Sequence, residues 1–467
     1  MVVAHHILSC PDTVAAKKVF RDDLSLAAFQ RQFSVWNSDV LSNKRLRFTR
    51  FLQAAADGTL FDRPNFDSPF QARKTSQPAM FDLLQASADD VDQIYQKLMA
   101  HFSDVALLAA AGDGLSFMRS IQAIAADAPR FHGQKPFVLP ILGLNPHLEF
   151  HVVHAGWRNF RHYINIFGRM LNNWQMSQTD ILVSQWNACR FEMSKLVRAH
   201  SEYFLELLRT PGAPDISRPG DFASGAEQNI DFRWAFSFLS DFGFLWLDMM
   251  QARRSKKIQK TMLLMREFLP FGRTTEANKT NYGYMTILFV YLNQALHPDL
   301  QKLYGSVQTL PTGSRSAAPG SEVGLDWFPE ELNLFLKSDV QDHISRELIN
   351  KRILDHEFLS TGTADAGLMD FVHQHRALAV GKMKKMDTDV AQIKALLRQT
   401  IGSTWAQATR ANMDSEFGLD VRATVYRKPW ETILRSMTTG SQGGDEHIYD
   451  YVSKHVKTYA PWHVWKP

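Results

Sequence analysis

Three short stretches of this chain gather side chains able to handle a metal ion or a phosphate. In LLAAAGDGLSFMRSIQ (107–122) an apolar run that starts at Val105 stops at Gly112-Asp113-Gly114, and a helical pattern follows. A carboxylate at the end of a buried strand, between glycines that allow close approach, suits a divalent cation or a phosphate-bearing ligand. Asp113, or Ser116 after it, equally suits the cap of a helix starting near Leu115. In NPHLEFHVVHAGW (145–157) strand alternation puts His147, Glu149 and His151 on one side, with His154 just beyond. Two imidazoles and a carboxylate at that spacing match zinc, manganese or iron, although histidines at a sheet edge are also satisfied by ordinary hydrogen bonds. In GLDWFPEELNLFLKSD (324–339) Pro329 fits the first turn of a helix, and Glu330 and Glu331 favour its positive end. Asn333 is a neighbour of Glu330 on the same helical side, and Asp326 precedes the turn. A charged helix start is the plainer alternative there.

Basic residues form a fourth feature. ARRSKKIQK (252–260) places Arg253, Lys256, Lys257 and Lys260 on one helical face, and GKMKKM (381–386) is a shorter run. Either can follow a phosphate backbone, or simply be a solvated face. The chain has no Walker-type loop, dinucleotide fingerprint, nucleophile elbow or paired-cysteine zinc signature. Kinase, dehydrogenase and serine-hydrolase activities therefore have no support.

The elements that must position these residues are mostly helical. SADDVDQIYQKLMAHF is the clearest helix: Ser87 can cap it, and Val91, Ile94, Tyr95, Leu98, Met99 and Phe102 share a face. The rest of the first hundred residues reads as helices with polar breaks. Residues 105–155 differ, because Val105–Ala111 and PFVLPILG (136–143) are apolar runs bounded by Gly and Pro and 147–154 alternates. Any central sheet is expected there. From Gly156 the helical period returns, with Trp157, Phe160, Ile164, Phe167, Leu171 and Trp174 on one stripe. Further helices are expected near 179–209, 230–250, 256–269 and 281–296. Residues 209–229 and 309–324, rich in Pro, Gly and Ser, read as loops.

Bulk properties set the outer bounds. The 467 residues, 45% hydrophobic and 21% charged, with 32 Phe and 11 Trp, are those of a folded chain with a large core. A net charge of +4 permits a nucleic-acid partner without demanding one. Two cysteines, Cys10 and Cys189, exclude a disulfide framework and point to an intracellular location. No secretory leader is visible at the N-terminus, and no window reaches the ~18 consecutive apolar residues of a membrane span, so no membrane partner is expected.

In order along the chain, GDGLSFMRSIQ, PHLEFHVVHAGWRNF, NYGYMTILFVYLNQAL (281–296) and GLDWFPEELNLFLK resemble an uncharacterised eukaryotic domain family associated with transposable elements. The resemblance covers roughly residues 105–345, with a gap over the central helices. That family is similar in layout to RNase H-like, DDE-type transposases. The resemblance implies a predominantly helical α/β fold with a small RNase H-like sheet, at about 105–155, interrupted by a large helical insertion. It implies Asp113 as the first acid, Glu149 as the middle one and Glu330 as the last, with Asp326, His151 and Asn333 matching flanking positions. Glu149 stands where the family pattern has Asp, and Glu331 where it has His. A live site would use two Mg²⁺ or Mn²⁺ ions about 3.5–4 Å apart for phosphodiester cleavage or strand transfer. His151 beside Glu149 favours Mn²⁺, since Mg²⁺ prefers oxygen ligands.

The expected division is an N-terminal helical region (1–103), an RNase H-like core (104–175 plus 325–400), a helical insertion (176–324) and a C-terminal helical and aromatic tail (401–467). The expected partner is DNA, and a DNA-acting protein would reach the nucleus. Two rival readings stand beside this one: an inactive scaffold or DNA-binding descendant, and a hydrolase with a metal on His147, Glu149 and His151. The spatial convergence of Asp113, Glu149 and Glu330 separates them.

Overall fold

A computed structural model describes residues 3–7, 42–62, 88–112, 136–142, 162–168, 186–254, 260–265, 296–307, 309–311, 322–324 and 386–419, with isolated positions 12, 21, 119, 120, 123, 124, 160, 257 and 267. These residues are mostly helical, with a small sheet.

The sheet has strands β1 (Val3–Ile7), β2 (Leu107–Gly112) and β3 (Phe137–Leu142), with β2 in the centre. β1 runs antiparallel to β2, Val3 opposite Ala111; β3 runs parallel to it, from Leu107 opposite Phe137 to Gly112 opposite Leu142. Both apolar runs expected as strands are strands. Leu107, Leu108, Ala109 and Val138 are buried, as a central strand covered on both faces requires. Pro140 cannot donate to a ladder and sits on β3, an edge among the described strands. β1 corrects the helical expectation for the N-terminal region. VAHHI has no sustained apolar run; its pairing with β2 decides its state, as strand preference depends on context.

Of the helices, α1 comprises residues 42–56 and α2 is Ala88–His101. The α2 face expected from the sequence is the buried one. Val91, Ile94, Tyr95 and Leu98, with Phe102, pack on Val105, Leu108, Ala110, Ile124 and Val138 of the sheet region, and Met99 lies partly buried beside them. Burial pushes the Tyr95 hydroxyl up to about 12, while a hydrogen bond with Ser120 pulls the other way.

The helical body contains α3 (Trp186–Leu208), α4 (Pro219–Gln228), α5 (Ile230–Ser237) and α6 (Phe244–Arg254). Between α5 and α6 lies a π-helical segment, Phe238–Gly243, where the Phe244 N–H donates to Leu239 O. One helix was expected over 230–250; the wider turn interrupts it. The extra residue lets Phe238, Leu239, Ser240, Phe242 and Gly243 all be buried. A Cβ on Gly243 would lie 3.0 Å from Val197 Cγ2, so the glycine sets how closely α3 approaches. Phe160, Ile164 and Phe167 of the expected stripe are fully buried; its other members lie outside the described residues.

Both expected loops are corrected in part. Within 209–229, Pro219 opens α4 at its first turn, where a missing N–H costs nothing. Gly225 serves packing there, since a Cβ would lie 2.7 Å from Thr409 Cγ2 and 3.3 Å from the Trp405 ring. At 309–324 the two ends pair: β4 (Thr309–Pro311), just after α7 (Pro298–Val307), runs antiparallel to β5 (Glu322–Gly324).

α8 (Met386–Thr400) packs lengthwise on α3, burying Val390, Ile393 and Leu397. Its ion pairs with α3 advance together in number: Lys195–Asp389 at 2.5 Å, Glu202–Lys394 at 2.9 Å and Glu206–Arg398 at 2.6 Å. The two helices therefore run parallel. Arg198 adds a pair with Asp387 at 2.9 Å. Beyond α8, Tyr203 donates to Gly402 O at 2.8 Å, and a short helix, α9 (Trp405–Ala408), packs its Trp405 edge-on against Phe222 and Phe232. No described helix is long and apolar enough to cross a membrane.

Candidate functional site

The parallel pairing of β2 with β3 brings their C-terminal ends to one end of the sheet, at Gly112 and Leu142. Asp113 is the next residue after Gly112. Asp113, His147, Glu149, His151, His154, Asp326, Glu330, Glu331, Asn333 and Lys256 lie outside the described residues, as does the expected strand at 147–154. Among the described residues no group of three or more His, Cys, Asp or Glu side chains is placed to hold a metal ion.

The basic run is placed in part, and its single helical face is corrected. α6 ends at Arg254, Lys257 is not helical, and helical residues resume at 260. Arg253 and Arg254 sit at the negative end of α6, where cations are favoured. Lys257 is exposed. Lys260 is half-buried and holds Asp248 Oδ1 at 2.5 Å.

That contact belongs to a charged seam between α1 and the helices facing it. Lys44, Arg47 and Arg50 recur every three residues along α1 and so share a side of it. Lys44 pairs with Asp241 of the π segment, Arg47 with Glu267, and Arg50 with Asp248 Oδ1 at 2.5 Å. Arg47 and Glu267 are only 4% and 6% exposed, so this pair is closed to solvent. Burial pushes the Glu267 carboxyl up to about 7; Arg47 opposes the shift and Asp248 adds to it. Burial likewise lowers Lys260, against the pull of Asp248. A closed Arg–Glu pair fixes α1 to the body; an incoming substrate cannot reach it.

The buried histidine is a structural group as well. His200 Nδ1 lies 2.7 Å from Leu196 O, and Nε2 lies 2.6 Å from the Tyr163 hydroxyl. A carbonyl only accepts, so Nδ1 carries the proton and Nε2 accepts from Tyr163. The rings of Tyr163, Phe167 and Phe238 surround the imidazole, and burial pushes its pKa down to about 3. A neutral ring with both nitrogens occupied has no proton to exchange with a ligand.

A buried carboxylate, Asp231, ties the 415–417 turn to α5. It accepts from Ser415 Oγ at 2.6 Å and from the N–H of Glu416 at 2.8 Å and Phe417 at 3.4 Å. Burial raises its pKa, and these donors oppose the shift. Asn229 caps α5 by accepting from the N–H of Asp231 and Phe232, while its backbone bridges to Asn412.

The sequence reading missed the α1 seam, whose signal is the three-residue recurrence of cations in KRLRFTR (44–50). The carboxylates answering it lie about two hundred residues away and give no local sign. No family model, curated protein or solved structure matches the chain.

Proposed function

We propose that this chain is a transposon-derived, RNase H-like protein that binds DNA and uses Asp113, Glu149 and Glu330 in metal-dependent phosphodiester cleavage or strand transfer. The observation that supports it is the parallel β2–β3 pair, which ends at Gly112, one residue before Asp113. In sheets with parallel neighbours, ligands gather outside the C-terminal ends of the strands. An acid there has a rigid base and an open approach.

The donor set fits hard divalent cations, because three carboxylates supply only oxygen. Asp113, Glu149 and Glu330 would hold Mg²⁺ or Mn²⁺, which when bound activates a water or a 3′-hydroxyl and stabilises the leaving oxygen. The chain's own part is to fix those carboxylates on separate elements and to orient them, a role suited to His151 two residues beyond Glu149. Glu149 in place of the family's Asp lengthens one arm by a methylene, and phosphoryl transfer is sensitive to displacements near 1 Å.

The test is nicking of supercoiled plasmid DNA with Mg²⁺ or Mn²⁺ by the wild type and by the Asp113→Asn and Glu330→Gln variants. Loss of nicking in both supports the proposal. Equal activity of Asp113→Asn and wild type removes it. A wild type that binds DNA without nicking supports the inactive descendant instead. Nicking by the wild type that stays complete in both variants favours the histidine-based site, which uses neither residue.

A further inference from the structure

We infer that the surface where α1 meets the segment around Lys257 and Lys260 holds the phosphate backbone of double-stranded DNA, with Arg50, Lys257 and Lys260 as the contacting cations. The inference rests on the DNA reading above for its class of partner, and not on its metal chemistry.

The first ground is an excess of positive charge among the described residues. Lys44 and Arg47 each have their own carboxylate, Asp241 and Glu267. Among the described residues Asp248 alone answers the rest, and one of its oxygens receives both Arg50 and Lys260, each at 2.5 Å. Lys257 stands close enough for its charge to act on the Lys260 ammonium. Among the described residues one anion therefore faces three cations, contributed by chain segments about two hundred residues apart.

The second ground is layering. The Asp248 side chain is 5% exposed, whereas Arg50 is 48% and Lys260 33% exposed. The acid is buried while the cations it pairs with are partly exposed, and it holds two of their heads in place. Arg50 is fixed further by its position over the Phe51 ring, 4.5 Å from the centroid. Heads ordered before binding lose less freedom when a phosphate docks, and a guanidinium presents its donors in a fork that matches phosphate oxygens. A solvated helix face, by contrast, has no buried anchor beneath it.

The test is fluorescence anisotropy of a labelled 20-base-pair duplex with the full chain between 50 and 200 mM NaCl, in EDTA so that no metal chemistry contributes. Each lost phosphate contact makes the slope of log affinity against log salt shallower by about 0.9. The Arg50→Gln/Lys257→Gln variant is expected to flatten it by about 2, while Lys97→Gln/Arg410→Gln, at exposed positions on α2 and after α9, leaves it unchanged. Asp248 keeps Lys260 in the first variant, and an unchanged thermal midpoint confirms that the fold is intact. A wild-type slope in that variant overturns the inference, as does a wild type that binds phosphatidylserine vesicles but not the duplex. The plasmid assay can fail while this slope still responds, so the two proposals stand or fall separately.

Discussion

Replacing the buried ion pair by apolar side chains, in the double variant Arg47→Met/Glu267→Leu, is expected to tilt the pH dependence of stability. Glu267 is raised from 4.5 to about 7 on folding, so between those values the native state holds a proton that the unfolded chain has lost. Its contribution is complete below pH 4.5 and disappears as the pH rises through 7. His200 is lowered from 6.5 to about 3, so over that range the unfolded chain holds the extra proton and stability rises with pH. One proton of difference corresponds to about 1.4 kcal/mol per pH unit, and from pH 4.5 to 6.5 the two slopes cancel. Removing Glu267 leaves the His200 slope uncovered, so the variant should gain about 1.4 kcal/mol per pH unit relative to wild type. Both partners are replaced because removing one strands a buried charge, at a cost of about 3–5 kcal/mol. Urea unfolding at pH 4.5, 5.5 and 6.5, followed by tryptophan fluorescence, measures the difference. Parallel profiles for the two proteins would refute the reasoning.

Two further perturbations test the helical body. Tyr163→Phe leaves His200 Nε2 as a buried acceptor without a donor and should cost about 1–3 kcal/mol in urea unfolding; an unchanged midpoint would mean that the hydroxyl does not hold the ring. Gly225→Ala should cost about 1–3 kcal/mol through overpacking against Thr409, and adding Thr409→Ser, which removes the crowding methyl, should restore most of it. If the serine does not rescue, close packing is not the reason for the glycine.

What the sequence revealed depended on how locally each feature is encoded. The α2 face was legible because Val91, Ile94, Tyr95 and Leu98 repeat at the helical period and all turn to the same partner. β2 and β3 were legible as apolar runs closed by Gly and Pro. β1 was not, because two histidines occupy its centre and only its neighbour makes it a strand. Composition misled at Gly225, which looks like a loop glycine and is a packing glycine. The proposed acids rest on type and order alone, because a meeting of side chains so far apart in the chain would be a long-range property with no local pattern. The same holds for Arg47 and Glu267, which pair across 220 residues.

The ion pairs between α3 and α8 act as a vernier. Among the α3 residues paired with α8, the cations Lys195 and Arg198 precede the anions Glu202 and Glu206; along α8 Asp387 and Asp389 lead and Lys394 and Arg398 follow. Reversing α8 would set acid against acid at one end and base against base at the other, and sliding it by two turns, about 11 Å, would bring its leading acids to Glu202. Several of these pairs are partly exposed and each contributes little to stability. Their shared effect is to favour the parallel orientation and to oppose a reversed or two-turn-shifted α8, so that charge selects the alignment in which two segments remote in the chain bury their apolar faces.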